Sequence, residues 1–151
     1  MEALGDRIEG ARILDLFSGS GALGIEALSR GAASVDFVED GGPALHALKA
    51  NVLARKIRPL RRGEVASKRN KAVRIFKRDA IPFVARLTEG TYDLAFADPP
   101  YGSRKLDRIL ERWFEVPFSG VLCIEHALDH AVPAGGKTQR FEHSALTFYG
   151  L

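Results

Sequence analysis

Asp15-Leu16-Phe17-Ser18-Gly19-Ser20-Gly21-Ala22-Leu23-Gly24 joins an apolar run, Arg12 to Phe17, to an amphipathic stretch, Gly21 to Arg30. The run has the length and apolarity of a buried strand. The stretch has helical periodicity and is closed by Gly31 at the C-cap position. A strand that turns through glycines straight into a helix is the opening unit of an α/β fold. The glycines let the backbone turn tightly and let a ligand approach it closely.

The same alternation continues outward from this unit. Ser34 to Val38 reads as a second strand, and Pro43 to Arg55 as a helix with Leu45, Leu48, Val52 and Leu53 on one face. Val73 to Phe76, Tyr92 to Ala97 and Val121 to Glu125 are three further strands, with helices predicted over Ile81 to Leu87 and Leu106 to Phe114. The tail from Thr138 to Tyr149 reads as two strands around Glu142-His143-Ser144, an antiparallel hairpin. No repeat or linker marks a second domain, so residues 1–151 are expected to form one mainly parallel sheet flanked by helices.

Composition narrows the class. Apolar residues make up 46% and charged residues 27% of 151, a globular balance. No apolar run is long enough to span a bilayer, and no signal-peptide pattern opens the chain. With a single cysteine, Cys123, no internal disulfide can form; a soluble cytoplasmic monomer is the expectation. His46, His126, His130 and His143 share no ligand spacing with Cys123, so no metal site is expected. Trp113 and Phe114 read as packing residues. The net charge of +3 conceals an asymmetry: Arg55 to Arg78 carries +10 and the remainder −7. Such a block either attracts a polyanion or is a solvated loop.

Two ligands fit the glycine turn. Gly19-Ser20-Gly21-Ala22-Leu23-Gly24 matches the dinucleotide pattern, and Glu39 lies 20 residues after Gly19, where an acid can grip a ribose. That is the dehydrogenase reading. Asp15 argues against it, because a carboxylate at the strand's end repels the pyrophosphate that such turns hold. S-adenosylmethionine carries an ammonium and a sulfonium in place of phosphate, and Asp15 suits it; the alternative is that Asp15 only caps the loop. Phe17, Gly19, Ser20 and Gly21 belong to the same turn, Phe17 being equally readable as core. Glu39, with Asp40 beside it, follows the second strand. Asp79, with Ala80, follows the third, where an acid can accept from an adenine amino group or cap the next helix.

Asp98-Pro99-Pro100-Tyr101 ends the apolar strand Leu94-Ala95-Phe96-Ala97. Ligands bind at that carboxyl edge in open α/β sheets. The prolines stiffen the loop and remove two N–H donors, leaving a surface of acceptors. Such a surface complements an exocyclic base amine. The Asp98 carboxylate and the Pro99 carbonyl can accept its two hydrogens, and Tyr101 can stack on a base that has been flipped out.

Together with Asp15, Phe17, Gly19, Gly21, Glu39 and Asp79, this tetrapeptide resembles the motifs of nucleic-acid amino-methyltransferases. Leu14 to Gly24 with Glu26-Ala27-Leu28-Ser29-Arg30-Gly31-Ala32, and the tail Phe148-Tyr149, resemble the bacterial RsmD family of 16S ribosomal RNA (guanine-N2)-methyltransferases. The resemblance implies a Rossmann-like class I methyltransferase sheet of seven strands with the last antiparallel, S-adenosylmethionine as cofactor, and ribosomal RNA or a small-subunit particle as partner. Family members carry a basic segment before the first strand that is absent here, and the loop from Ile57 to Lys71 is unusually long and basic. A DNA adenine-N6 or cytosine-N4 methyltransferase and a catalytically idle RNA-binding module are the competing readings.

Overall fold

The structure, a computed structural model, describes residues 2–65 and 72–151. Its elements follow the predicted alternation: β1 (Arg12–Leu16), α1 (Ala22–Ser29), β2 (Ser34–Glu39), α2 (Gly42–Ala54), β3 (Ala72–Lys77), α3 (Ala80–Ala85), β4 (Tyr92–Ala97), α4 (Lys105–Glu115), β5 (Ser119–His126), β6 (Lys137–Arg140) and β7 (Ala145–Tyr149). A short 3-10 helix, Glu2–Arg7, precedes them and has no counterpart in the sequence expectation; its Leu4 is buried.

The seven strands form one sheet in the order β3-β2-β1-β4-β5-β7-β6. β1 to β5 pair in parallel, while β7 runs antiparallel to β5 and β6 antiparallel to β7. The antiparallel end is the hairpin expected from the tail. Side chains alternate faces along each strand, so the sheet carries two cores. On one face Ile13, Phe37, Leu94 and Cys123 pack with Leu28 of α1 and Leu48 of α2. On the other, Leu14, Leu16, Ala95 and Leu122 pack with Val84 of α3 and Ile109 of α4. At Gly24 a Cβ would lie 2.4 Å from the Phe37 ring, so the missing side chain is what lets α1 sit directly on β2.

Chain order reverses between β1 and β4, which are neighbours in the sheet although two strands and three helices separate them in sequence. The loops leaving these two strands diverge and open a crevice at their carboxyl ends. The glycine turn stands on one side of it and Asp98-Pro99-Pro100-Tyr101 on the other.

The basic segment lies elsewhere. Residues 66–71 are outside the described residues, so Lys68, Arg69 and Lys71 are not placed. Leu60 N–H donates to the Val73 carbonyl at 2.7 Å, which holds the first part of the segment beside the start of the edge strand β3. Three of its described cations are used internally, among them Arg61, which pairs with Glu64 at 3.8 Å. Arg58 pairs with Glu64 at 2.8 Å, and Arg74 pairs with Asp36 at 2.7 Å.

Asp36 is 3% exposed, and its carboxylate accepts from Arg74 Nε and Nη2 and, at 2.6 Å, from the Tyr92 hydroxyl. The three groups lock β2 to β3 and, across β1, to β4. Asp36→Ala leaves the buried Tyr92 hydroxyl unpartnered and should cost about 2–3 kcal/mol of unfolding free energy in urea titrations at neutral pH. Glu26→Ala, which breaks the exposed Arg30 pair, should cost less than about 1 kcal/mol. Equal effects would remove the Asp36 network from the account of stability.

Candidate active site

Strand register decides which acids meet. Ile13 and Asp15 share a face of β1, as do Leu94 and Phe96 of β4 and Val121 and Cys123 of β5. Asp15 therefore points toward the face covered by α1. It is 2% exposed, and its Oδ2 accepts from Gly24 N–H at 3.1 Å. The geometry is that of the loop cap weighed in the sequence. Burial pushes the Asp15 carboxyl up to about 8 against the opposing Gly24 hydrogen bond, with the charges of Asp98 and Glu39 adding to the rise. The group is therefore largely protonated at neutral pH without a cation nearby.

Glu39 is braced at both oxygens. Oε1 accepts from Gly19 N–H at 2.8 Å and Oε2 from Gly41 N–H at 2.9 Å. This fixes a carboxylate at the carboxyl end of β2 with lone pairs left over. It also uses the Gly19 N–H that a dinucleotide pyrophosphate would need. Asn51 Nδ2 donates to the Ser20 carbonyl at 2.9 Å, which ties the far side of the turn to α2. Gly19 and Gly21 both have positive φ, 55° and 82°. At Gly19 a Cβ would meet nothing within 4 Å, so this part of the turn is open to a ligand.

Phe17 is the unusual residue of the turn. Its φ is 55°, a left-handed conformation that bulky residues rarely adopt. Its ring is half-buried and lies 5.8 Å from Lys105 Nζ of α4. Phe17 thus stands between the core expected for it and the cavity beside it.

A cavity of about 390 Å³ brings together Phe17, Glu39, Asp40, Asp98, Pro99, Pro100, Tyr101 and Lys105 with Glu125 of β5. Seven of the sequence-derived site residues meet there. Ser20 lies instead along the groove between α1 and α2. Asp79 is the N-cap of α3, its Oδ1 accepting from Ile81 N–H at 3.0 Å, and it lines a separate groove with Arg78 and Phe83. Ala80 is buried under that helix. Among the described residues no cluster of His, Cys, Asp or Glu could hold a metal ion, and no helix is long and apolar enough to cross a membrane.

Glu125 is the functional candidate that sequence reading missed. It looked like the polar end of a buried strand, and only the sheet order brings it beside Asp98. Asp98 follows the Ala97–Ile124 pair of β4 and β5, so the two carboxyls stand level at the sheet edge. Their carboxyls interact directly. Partial desolvation, then the charge and hydrogen bond of Glu125, push the Asp98 carboxyl up to about 6. The Tyr101 hydroxyl also interacts with Glu125 and with Ser144 of the β6–β7 turn, while its ring remains 57% exposed.

The lining is thus rich in carboxylates and short of free N–H donors. It fits a cationic, hydroxyl-bearing ligand and does not fit a pyrophosphate.

Residues 1–140 match the family model described as Conserved hypothetical protein 95. The chain is 30% identical over 135 residues to YlbH of Bacillus subtilis, provisionally named an rRNA methyltransferase; the match covers 86% of this chain and 67% of that one. It is 33% identical over 100 residues to ribosomal RNA small subunit methyltransferase D of Buchnera aphidicola, covering 66% of this chain and spanning 46% of the relative's length. The solved structure of YhhF of Escherichia coli, provisionally named a methyltransferase, superposes with a TM-score of 0.76 at 26% identity over 98% of this chain and 79% of the other. The sheet is that of the Rossmann-like class I methyltransferases. The chain belongs to the family described as Conserved hypothetical protein 95, the RsmD family that its motifs resemble.

Proposed function

We propose that this chain is an S-adenosylmethionine-dependent methyltransferase acting on an exocyclic base amine, guanine N2 of small-subunit (16S) ribosomal RNA. The observation that carries this reading is the acid-walled cavity where Glu39 and Asp98-Pro99-Pro100-Tyr101 converge at the topological switch point. The names of the Bacillus and Buchnera relatives support the RNA substrate.

The donor set fits S-adenosylmethionine. Glu39, already oriented by two backbone N–H groups, is suited to two ribose hydroxyls, with Asp40 beside it. Gly19 leaves backbone room beside Ser20, Gly21 packs the turn against Leu48 and Phe37, and Phe17 supplies an apolar wall. Asp15 acts from behind the turn, its carboxyl becoming ionised as positive charge arrives. Asp79 and Ala80 mark the expected adenine end. The cofactor supplies an electrophilic methyl group on a sulfonium. Asp98 and the Pro99 carbonyl accept the two amine hydrogens, which turns the nitrogen lone pair away from the ring and out toward the donor. Pro100 holds the loop, and Tyr101 offers its exposed ring face to the base. The RNA would lie across the carboxyl edge, with Lys77 and Arg78 at the end of β3 and the rest of Arg55 to Arg78 extending the contact toward the opposite edge, about 20 Å away along a six-residue strand.

Titration calorimetry should detect S-adenosylmethionine and S-adenosylhomocysteine and no NAD. Glu39→Ala should weaken S-adenosylhomocysteine by about 10-fold or more, the scale of hydrogen bonds to a charged group. NAD binding with no response to the other two would return the glycine turn to the dehydrogenase reading.

Asp98→Ala should lower methyl transfer to small-subunit particles on the order of 10²-fold or more while S-adenosylhomocysteine affinity stays within a few-fold. Digestion of the product RNA to nucleosides, followed by mass spectrometry, should identify N2-methylguanosine. A modified adenosine or cytidine would reassign the base, and a folded Asp98→Ala variant with parental turnover would remove Asp98 from the chemistry.

If the basic segment contacts phosphates, affinity for RNA should fall with salt at a log–log slope of roughly −0.7 per single-stranded contact. Replacing Arg55, Lys56, Arg61 and Arg62 with Ala should then flatten the slope by about two to three. A parental slope would leave this part of the segment as a solvated loop.

A further inference from the structure

Asp98 and Glu125 face two cavities at once. One is the acid-lined cavity containing Glu39. The other, about 190 Å³, has an apolar wall of Leu4, Leu23, Phe141, Leu146 and Phe148, with Asp98, Glu125 and Ser144 at its polar lip. Among the residues lining both, only these two bear carboxyls. A planar base is apolar on its faces and polar at its edge. Seated against the apolar wall, it would present its amine where the cavities meet.

Resting on the methyltransferase reading above, we propose that Glu125 is the second carboxylate of the methyl-acceptor site, sharing with Asp98 the hydrogens of the substrate amine and the proton that leaves it. Two observations place Glu125 in that role. Its backbone pairs with Leu146 of β7, one residue beyond the Ile124–Ala97 pair of β5 and β4, which sets it level with Asp98. Its carboxyl lines both cavities and interacts with the Tyr101 hydroxyl, which also interacts with Ser144.

The chemistry requires an acceptor at this point. An exocyclic amine that gains a methyl group becomes cationic and must lose one proton. The nitrogen lone pair forms the new N–C bond, the former S–C bond breaks with its electrons left on sulfur, and one N–H proton passes to a carboxylate. Asp98 and Glu125, both ionised at that moment, accept that proton as a pair, share it between them and return it to solvent. The pair must be fully ionised first, so turnover should rise with pH through about 6, the value to which burial and Glu125 bring Asp98. The other titratable groups facing this pair are Asp15 behind β1, Glu39 and Asp40 after β2, Tyr101 in the same loop, Lys105 of α4 and Cys123 of β5.

Glu125→Gln separates these ideas, because the amide keeps the shape and loses the charge. Three readouts are taken on the full chain. Carbon-13 NMR of the Asp98 carboxyl should titrate at lower pH in Glu125→Gln than in the parent. The acid limb of methyl transfer to 16S RNA assembled with small-subunit proteins should move down with it, and the plateau rate should fall at least 10-fold. S-adenosylhomocysteine affinity, read by calorimetry, should stay within a few-fold of the parent. An active parent whose Glu125→Gln variant keeps the parental rate, acid limb and Asp98 titration overturns this inference and leaves the methyltransferase reading intact. A parent that binds S-adenosylhomocysteine yet methylates neither the particle nor free RNA overturns the underlying reading and this inference with it.

Discussion

The hydrogen bond from Gly24 N–H to the buried Asp15 carboxyl is the constraint on which the site depends. It joins the last turn of β1 to the first turn of α1 across the whole glycine loop. It works with the hydrogen bonds of Ser18 to Asp15 and Val38, of Gly21 N–H to the Ser18 carbonyl, and of Asn51 to Ser20 to fix the loop's path. On that path Gly19 N–H meets Glu39 at the end of β2, and Phe17 takes positive φ. Gly24 serves this arrangement twice, through its N–H and through its missing Cβ, which lets the Phe37 ring lie under the helix.

The arrangement concentrates acids. Asp15, Glu39, Asp98 and Glu125 lie at the carboxyl ends of four of the parallel strands; Asp98 and Glu39 add to the cost of ionising Asp15, and Glu125 to that of ionising Asp98. The outcome is seen in the carboxyls of Asp15, held up at about 8, and Asp98, at about 6. A group of carboxyls that holds protons near neutral pH is poised to release them when a cation arrives. The site is thus electrostatically incomplete by itself, and the missing charge is positive. Glycine turns of similar spelling that serve phosphates have the opposite deficit. The difference between the two ligand classes lies in where the loop N–H groups point, and here they point at carboxylates.

Much of this was legible in the sequence because local patterns determine it. The continuous apolar run Leu94 to Ala97 and the helical spacing of Leu45, Leu48 and Val52 needed no tertiary knowledge. The antiparallel hairpin followed from turn residues at Glu142 to Ser144. The Asp-Pro-Pro-Tyr loop advertised itself by composition. What could not be read was set by register between distant strands. Glu125 is an ordinary strand-terminal acid until β5 is known to lie beside β4. Asp36 sits mid-strand at a position where an apolar residue is expected, and only Arg74 and Tyr92, 38 and 56 residues away, account for it. Asp79 shows a different limit: one residue satisfies both a helix-cap pattern and a ligand pattern, and its side chain bonds to Ile81. The helix at Glu2–Arg7 is short, and its central Gly5 hides any periodicity.

Charge is distributed along the strand direction as well as along the chain. In a parallel sheet with helical crossovers, the residues that follow a helix and precede a strand lie at the amino edge. Arg55 to Arg62 occupy that position between α2 and β3, while the acids that follow strands occupy the carboxyl edge. Part of the segment's +10 therefore lies at the amino edge, while Arg74 sits within β3 and Lys77 and Arg78 lie at its carboxyl end. At physiological salt such ends screen each other over a strand's length, since the Debye length is about 8 Å and six residues span about 20 Å. On the proposed reading, the acidic crevice would take the cation while the basic loop would attract the polyanion, without either cancelling the other. A ligand too short to bridge the two would feel only the acids. A folded RNA is long enough to be held at the basic edge while one of its bases enters the crevice.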